Sequence, residues 1–155
     1  GNSALPSASV ASPAILPFWD DLVLTGTNNG IYTLTEGAAP NRRFYVIWRG
    51  YAYGTTSGTT VEVAVVFSEN TENIEFIYSK VGAGAALNGA SATIGLQGPT
   101  NDLYTEFSFN QANSVIVGTK LVWSRGPEAI CSVGAGCGGV EPLPTEIFSD
   151  GFESD

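Results

Sequence analysis

Two cysteines, one pair of adjacent carboxylates, one dibasic pair and a set of aromatic rings are the residues here whose types could do chemistry. The 155-residue chain contains no His. That removes the commonest general base, the commonest zinc ligand and the catalytic triads that depend on imidazole. Its Ser and Thr hydroxyls therefore have no imidazole to activate them.

Cys131 and Cys137 enclose Ser-Val-Gly-Ala-Gly, a loop flexible enough to bring the two thiols together. In an exported chain this spacing predicts an intrachain disulfide, and closing so short a loop contributes about 2 kcal/mol. A metal site would need two more soft or imidazole ligands, and a redox site favours the closer Cys-x-x-Cys spacing. The bridge would staple the C-terminal tail locally.

Asp20 and Asp21 follow Phe18-Trp19. Paired acid-base work needs two carboxyl groups converging across a substrate, whereas neighbours on a strand point to opposite faces. The expectation is one aspartate accepting hydrogen bonds at a strand end and one in solvent. Calcium is the alternative, and it would need further oxygen ligands from loops. The terminal stretch Ile147 to Asp155 is acidic but lacks EF-hand spacing. It reads first as a strand docking through Ile147, Phe148 and Phe152, with metal binding or a recognition tail as alternatives. No cofactor is expected, calcium being the one candidate.

Trp19, Trp48, Trp123, Tyr51 and Tyr53 could stack on sugar rings, although most aromatics in a domain of this size belong to the core. The candidates for an exposed ligand surface are Trp19, Tyr51 and Tyr53. Arg42 and Arg43, beside the Pro40-Asn41 turn, read as surface cations bridging nearby carboxylates. Gly82-Ala83-Gly84 lacks the lysine and helix of a phosphate loop, and there is no nucleophile elbow or zinc helix.

Charge decides the partners. Six basic residues stand against fifteen acidic ones, for a net charge of −9, which cannot supply the cationic stripe needed for nucleic acid or anionic membranes. No apolar run approaches the length of a membrane-spanning helix. Residues 1 to 125 hold nine acids and all six bases, and residues 126 to 155 add six acids and no base. The chain divides into a nearly neutral body and an acidic tail. It has no Met, which reads as an N-terminus produced by export processing or by cutting a larger precursor.

These side chains must be positioned by strands. Short apolar runs separated by turn chemistry fill residues 15 to 124. Val61, Val63, Val65 and Phe67 alternate with Glu62, Ala64 and Val66. Ile74, Phe76 and Tyr78 repeat the device, and Asn70 to Asn73 reads as a hairpin turn using left-handed Asn. Further strands are predicted at 15 to 24, 30 to 35, 43 to 53, 91 to 97, 103 to 109 and 115 to 124. Arg43 to Trp48 is apolar on both faces, which predicts a strand buried on both sides. The fold class is all-β, an antiparallel β-sandwich or jelly roll over residues 15 to 125. Residues 1 to 14 read as an extended arm or linker and residues 126 to 155 as a Gly/Pro/acid-rich tail.

The order Ile15-Leu16-Pro17-Phe18-Trp19-Asp20-Asp21-Leu22, Gly30-Ile31-Tyr32 and Ala39-Pro40-Asn41-Arg42-Arg43-Phe44-Tyr45-Val46-Ile47-Trp48 resembles the second half of the nidogen-type extracellular domain of large secreted bacterial proteins. The likeness continues through Ile74-Glu75-Phe76-Ile77-Tyr78, Ser91 to Gln97 and Phe107 to Asn110, covering residues 13 to 124. The segment Ile147 to Glu153 is similar to short C-terminal motifs in exported proteins of some gammaproteobacteria. The resemblance implies a non-catalytic β-sandwich at the cell surface or outside it, in adhesive or matrix-associated proteins, and assigns no catalytic residue. Such domains carry further strands upstream of the Leu-Pro that here is Leu5-Pro6. The resemblance thus implies an unpaired sheet edge and an uncovered apolar face. These would be filled by strands elsewhere on a precursor, or by self-association or another protein adding a strand, in a ring or a filament. The function expected is a non-enzymatic structural or adhesive subunit, with a glycan-binding accessory module as the alternative.

Overall fold

The computed structural model describes residues 1 to 54, 61 to 82 and 88 to 125. Among them run nine strands and no helix: β1 Ala14–Trp19, β2 Leu22–Val23, β3 Gly30–Glu36, β4 Arg43–Ala52, β5 Val61–Ser68, β6 Ile74–Lys80, β7 Thr93–Gln97, β8 Tyr104–Phe109 and β9 Lys120–Trp123. All pairings are antiparallel. The smaller sheet has the order β1-β7-β8; the larger has the order β2-β4-β5-β6-β9, with β3 also on β4. Strands β2 and β3 pair successive stretches of β4, Tyr51 to Ala52 and Arg43 to Arg49.

The period-two pattern of β5 builds the core. Val61, Val63 and Val65 have essentially no exposed surface and cluster with Phe76 and Tyr78 of β6, Leu121 of β9, and Phe18 and Ile94 of the smaller sheet. Burying such side chains on both inner faces is what holds two sheets together. Phe76 also meets Trp123 with ring centroids 5.3 Å apart. A hydrogen bond crosses the core: the Tyr78 hydroxyl donates to the Pro17 carbonyl at 2.6 Å.

The outer face of the smaller sheet is polar yet buried. Thr93 and Gln97 project there, and residues 1 to 13 lie over them without forming a strand. Ser7 N–H donates to Gln97 Oε1 at 2.7 Å, and Gln97 Nε2 donates to the Ser7 carbonyl and to Ser12 Oγ. Thr93 Oγ1 donates to the Ser3 carbonyl, and Leu5 N–H donates to Glu106. Leu5 is buried where Gly95 offers no side chain; a Cβ there would stand 2.9 Å from Leu5 Cδ1.

Four expectations are corrected. The run 15 to 24 is two strands in different sheets, because the chain leaves the smaller sheet at Asp20-Asp21 and enters the larger at Leu22. The run 115 to 124 is a strand only over Lys120–Trp123; residues 116 to 119 turn, with Thr119 N–H bonded to the Ile116 carbonyl. Strand β4 is not buried on both sides: Phe44 is exposed and most of the strand is half-buried. The connection between β5 and β6 contains no left-handed Asn; that conformation occurs at Asn28, Asn110 and Asn113.

Candidate interaction surface

Asp20 and Asp21 diverge. Asp20 Oδ1 accepts the Asp21 N–H at 2.7 Å and Oδ2 accepts the Ser91 hydroxyl at 2.7 Å, which ties the crossing between sheets to the turn before β7. The Asp21 side chain is largely in solvent. Among the described residues no three His, Cys, Asp or Glu side chains gather in a metal-binding group. Cys131, Cys137, Ile147, Phe148 and Phe152 lie outside the described residues.

The three candidate ligand-surface aromatics share a neighbourhood but not a platform. Trp19 ends β1 and is half-buried; Tyr51 is half-buried on β4 opposite Val23; Tyr53 is 78% exposed, its N–H bonded to the Asp21 carbonyl. No ring contact joins them among the described residues. Trp48 and Trp123 are half-buried against the core.

The dibasic pair bridges carboxylates. Arg42 meets Glu69 at 2.5 Å and Arg43 meets Glu75 at 2.6 Å. The side-chain hydrogen bond from Arg42 holds the Glu69 carboxyl down at about 2, with a backbone hydrogen bond from Arg42 adding to it. On the outer face of the larger sheet, Glu62 is drawn on by Ser79, Arg49 and Lys80. Burial pushes its pKa up, but hydrogen bonds from Ser79 and Arg49 outweigh it and hold the carboxyl below its ordinary value. Arg43 and Glu75 stand on strands that are not neighbours, and Val66 of β5 between them has no exposed surface. Lys120 of β9 extends the row, 3.0 Å from Glu75. The outer face is thus covered by its own ion pairs.

The inner face of the larger sheet is covered only in part. Register places Ile31 beside Trp48 and Val63, and Thr35 beside Phe44 and Phe67, on the face that carries the core. Yet Ile31 is 58% exposed, and Phe44 and Phe67 are also open, because the three-stranded sheet stops short of β3. A cavity of about 260 Å³ opens between β1 and the larger sheet, lined by Ile15, Phe18, Trp19, Leu22, Trp48 and Val63. A second, of about 290 Å³, sits over Phe44 and Phe67 and is bounded by Arg42 and Glu69. Exposed apolar side chains beside an unpaired strand edge are a mark of an interaction site.

A family model described as NIDO related matches residues 1–124. The chain belongs to the NIDO-related family. No curated protein and no solved structure shows significant similarity to it. The match to the NIDO-related family begins at residue 1, ahead of the motifs at 13 to 124 that carry the resemblance, and so takes in the segment that packs on Thr93 and Gln97. Among the described residues of this NIDO-related domain, no helix is long and apolar enough to cross a membrane. The surface residues that sequence reasoning passed over are those of β3. Gly30 to Glu36 reads as an ordinary strand, and the signal was its lack of any lysine or proline.

Proposed function

We propose that this NIDO-related domain is a non-catalytic structural or adhesive module of an exported bacterial protein, acting outside the cell or at its surface and engaging other protein through the open side of its larger sheet. The observation that carries the reading is the uncovered inner face at Ile31, Phe44 and Phe67 beside edge strand β3. Family membership supports the extracellular setting. The missing imidazole and the divergence of Asp20 and Asp21 support a role without catalysis. Strand exchange is the mode of engagement this geometry favours, and its extension from copy to copy would build a filament or matrix.

Sedimentation of the full 155-residue chain over a concentration series tests this. Mass that grows with concentration is the expected result. A monodisperse monomer at every concentration, with uniformly protected strand amides, would overturn it. The glycan alternative keeps one well-exposed ring, Tyr53. Saccharide binding that disappears in Tyr53→Ala would put that reading first.

A further inference from the structure

Strands β1, β2, β3, β8 and β9 each have a strand neighbour on one side only among the described residues. Exposed edges are normally blunted by proline, lysine, bulges or shortness. β1 carries Pro17 and an irregular register between Leu16 and Trp19. β8 pairs irregularly with β7 and carries Glu106. β9 is four residues long and begins at Lys120, and β2 is two residues long. β3 has no proline, lysine or bulge, and its one charge, Glu36, stands at its last residue. It runs seven residues in unbroken register with β4, and Ile31, Tyr32 and Leu34 are exposed on its two faces.

We infer that β3 is a self-recognition edge, which pairs antiparallel with β3 of a second copy of this chain about a two-fold axis at Thr33. The inference rests on the self-association in the reading above and names one edge and its partner; a two-fold contact closes at the dimer, so growth into a filament would use a second contact. With Thr33 on the axis, Tyr32 stands opposite the partner's Leu34 and Ile31 opposite the partner's Thr35. These are aromatic–aliphatic and β-branched cross-strand pairs of the kind that stabilise antiparallel ladders. Gly30 then stands opposite the partner's Glu36, so no like charges face each other.

Charge selects this register. Arg49 is opposite Gly30 on β4, and its guanidinium lies 5.5 Å from the Tyr32 ring centroid. Arg49 already pairs with Glu62 of β5 and the Tyr32 ring lies over Gly30, so the partner's Glu36, two strands away on the same face, is a second carboxylate that meets the exposed third of this side chain past the Tyr32 ring and continues the alternating row Lys80, Glu62, Arg49. Within one chain Arg43 and Glu75 already close such a two-strand span at 2.6 Å. The two-fold axis makes the Arg49–Glu36 contact twice. Moving the axis to Leu34 puts Glu36 opposite the partner's Tyr32, and moving it to Tyr32 carries Glu36 past Gly30; either loses the pairing. A seven-residue edge buries less than a standard stable interface, so the dimer should form in a concentration-dependent way.

Amide hydrogen exchange of the full chain across a dilution series, beside sedimentation of wild type and Leu34→Lys, tests the inference. Leu34 is exposed, so the lysine changes the edge without disturbing the core. The expected result is slowed exchange at residues 30 to 36 that is lost on dilution, and loss of the dimer in Leu34→Lys. Association that persists in Leu34→Lys, with β3 exchanging at one rate throughout, would overturn this edge and leave the assembly reading standing. Protection of β3 that ignores dilution would mean that a segment of the same chain covers it, and would overturn the inference. A monomer at every concentration would overturn both readings.

Discussion

The hydroxyl of Tyr78 and the carbonyl of Pro17, 61 residues apart in sequence, join the two sheets through a 2.6 Å hydrogen bond inside the core. Burial pushes the Tyr78 phenol far above its ordinary pKa, so it stays a donor throughout the range in which the protein is folded.

Replacing this tyrosine separates packing from hydrogen bonding. Tyr78→Phe keeps the ring and leaves the Pro17 carbonyl without its donor, which costs about 1–3 kcal/mol. Urea denaturation should show a lower midpoint with an unchanged slope.

The Arg42–Glu69 pair fixes the sign of one acid response. Glu69 titrates at about 2 in the folded chain, against an ordinary value of 4.5. Its contribution is therefore complete above about pH 4.5 and is lost as the pH falls toward 2. Carboxyl chemical shifts should give that low midpoint for Glu69, and Arg42→Ala should return it toward 4.5.

Gln97 clamps residues 1 to 13 by donating to Ser7 and Ser12 and accepting from Ser7. Gln97→Ala leaves the buried Ser7 N–H and carbonyl without these partners, at a cost of about 1–3 kcal/mol. Limited proteolysis should cut the N-terminal segment of the variant before it cuts the strands, whereas the wild type should resist at both.

How much of this was legible depended on whether the signal was periodic. The alternation at Val61 to Phe67 and Ile74 to Tyr78 marks β5 and β6, and the core follows from it. The break at Asp20-Asp21 was hidden, because Leu22 and Val23 continue an apolar run while the chain changes sheets. Docking of residues 1 to 13 was equally hidden, since Gln97 and Thr93 hold that segment through hydrogen bonds that leave no hydropathy pattern. Phe44 reads as core by type; its exposure is set by how far the smaller sheet reaches, which no local pattern encodes. The candidate surface was legible only as an uncovered face that the resemblance implies, without a position; the exposed Ile31, Phe44 and Phe67 of β3, β4 and β5 come from the packing of the two sheets.

The covered polar face of the smaller sheet sets a timetable. Ser7 and Gln97 are 90 residues apart, so during synthesis the N-terminal segment and β1 leave the ribosome long before β7 exists to receive them. The β4-β5-β6 meander, with its short-range contacts, can close first. In that interval the apolar β1 travels unpaired, and Pro17, which has no amide N–H to offer a ladder, makes it a poorer template for a wrong neighbour.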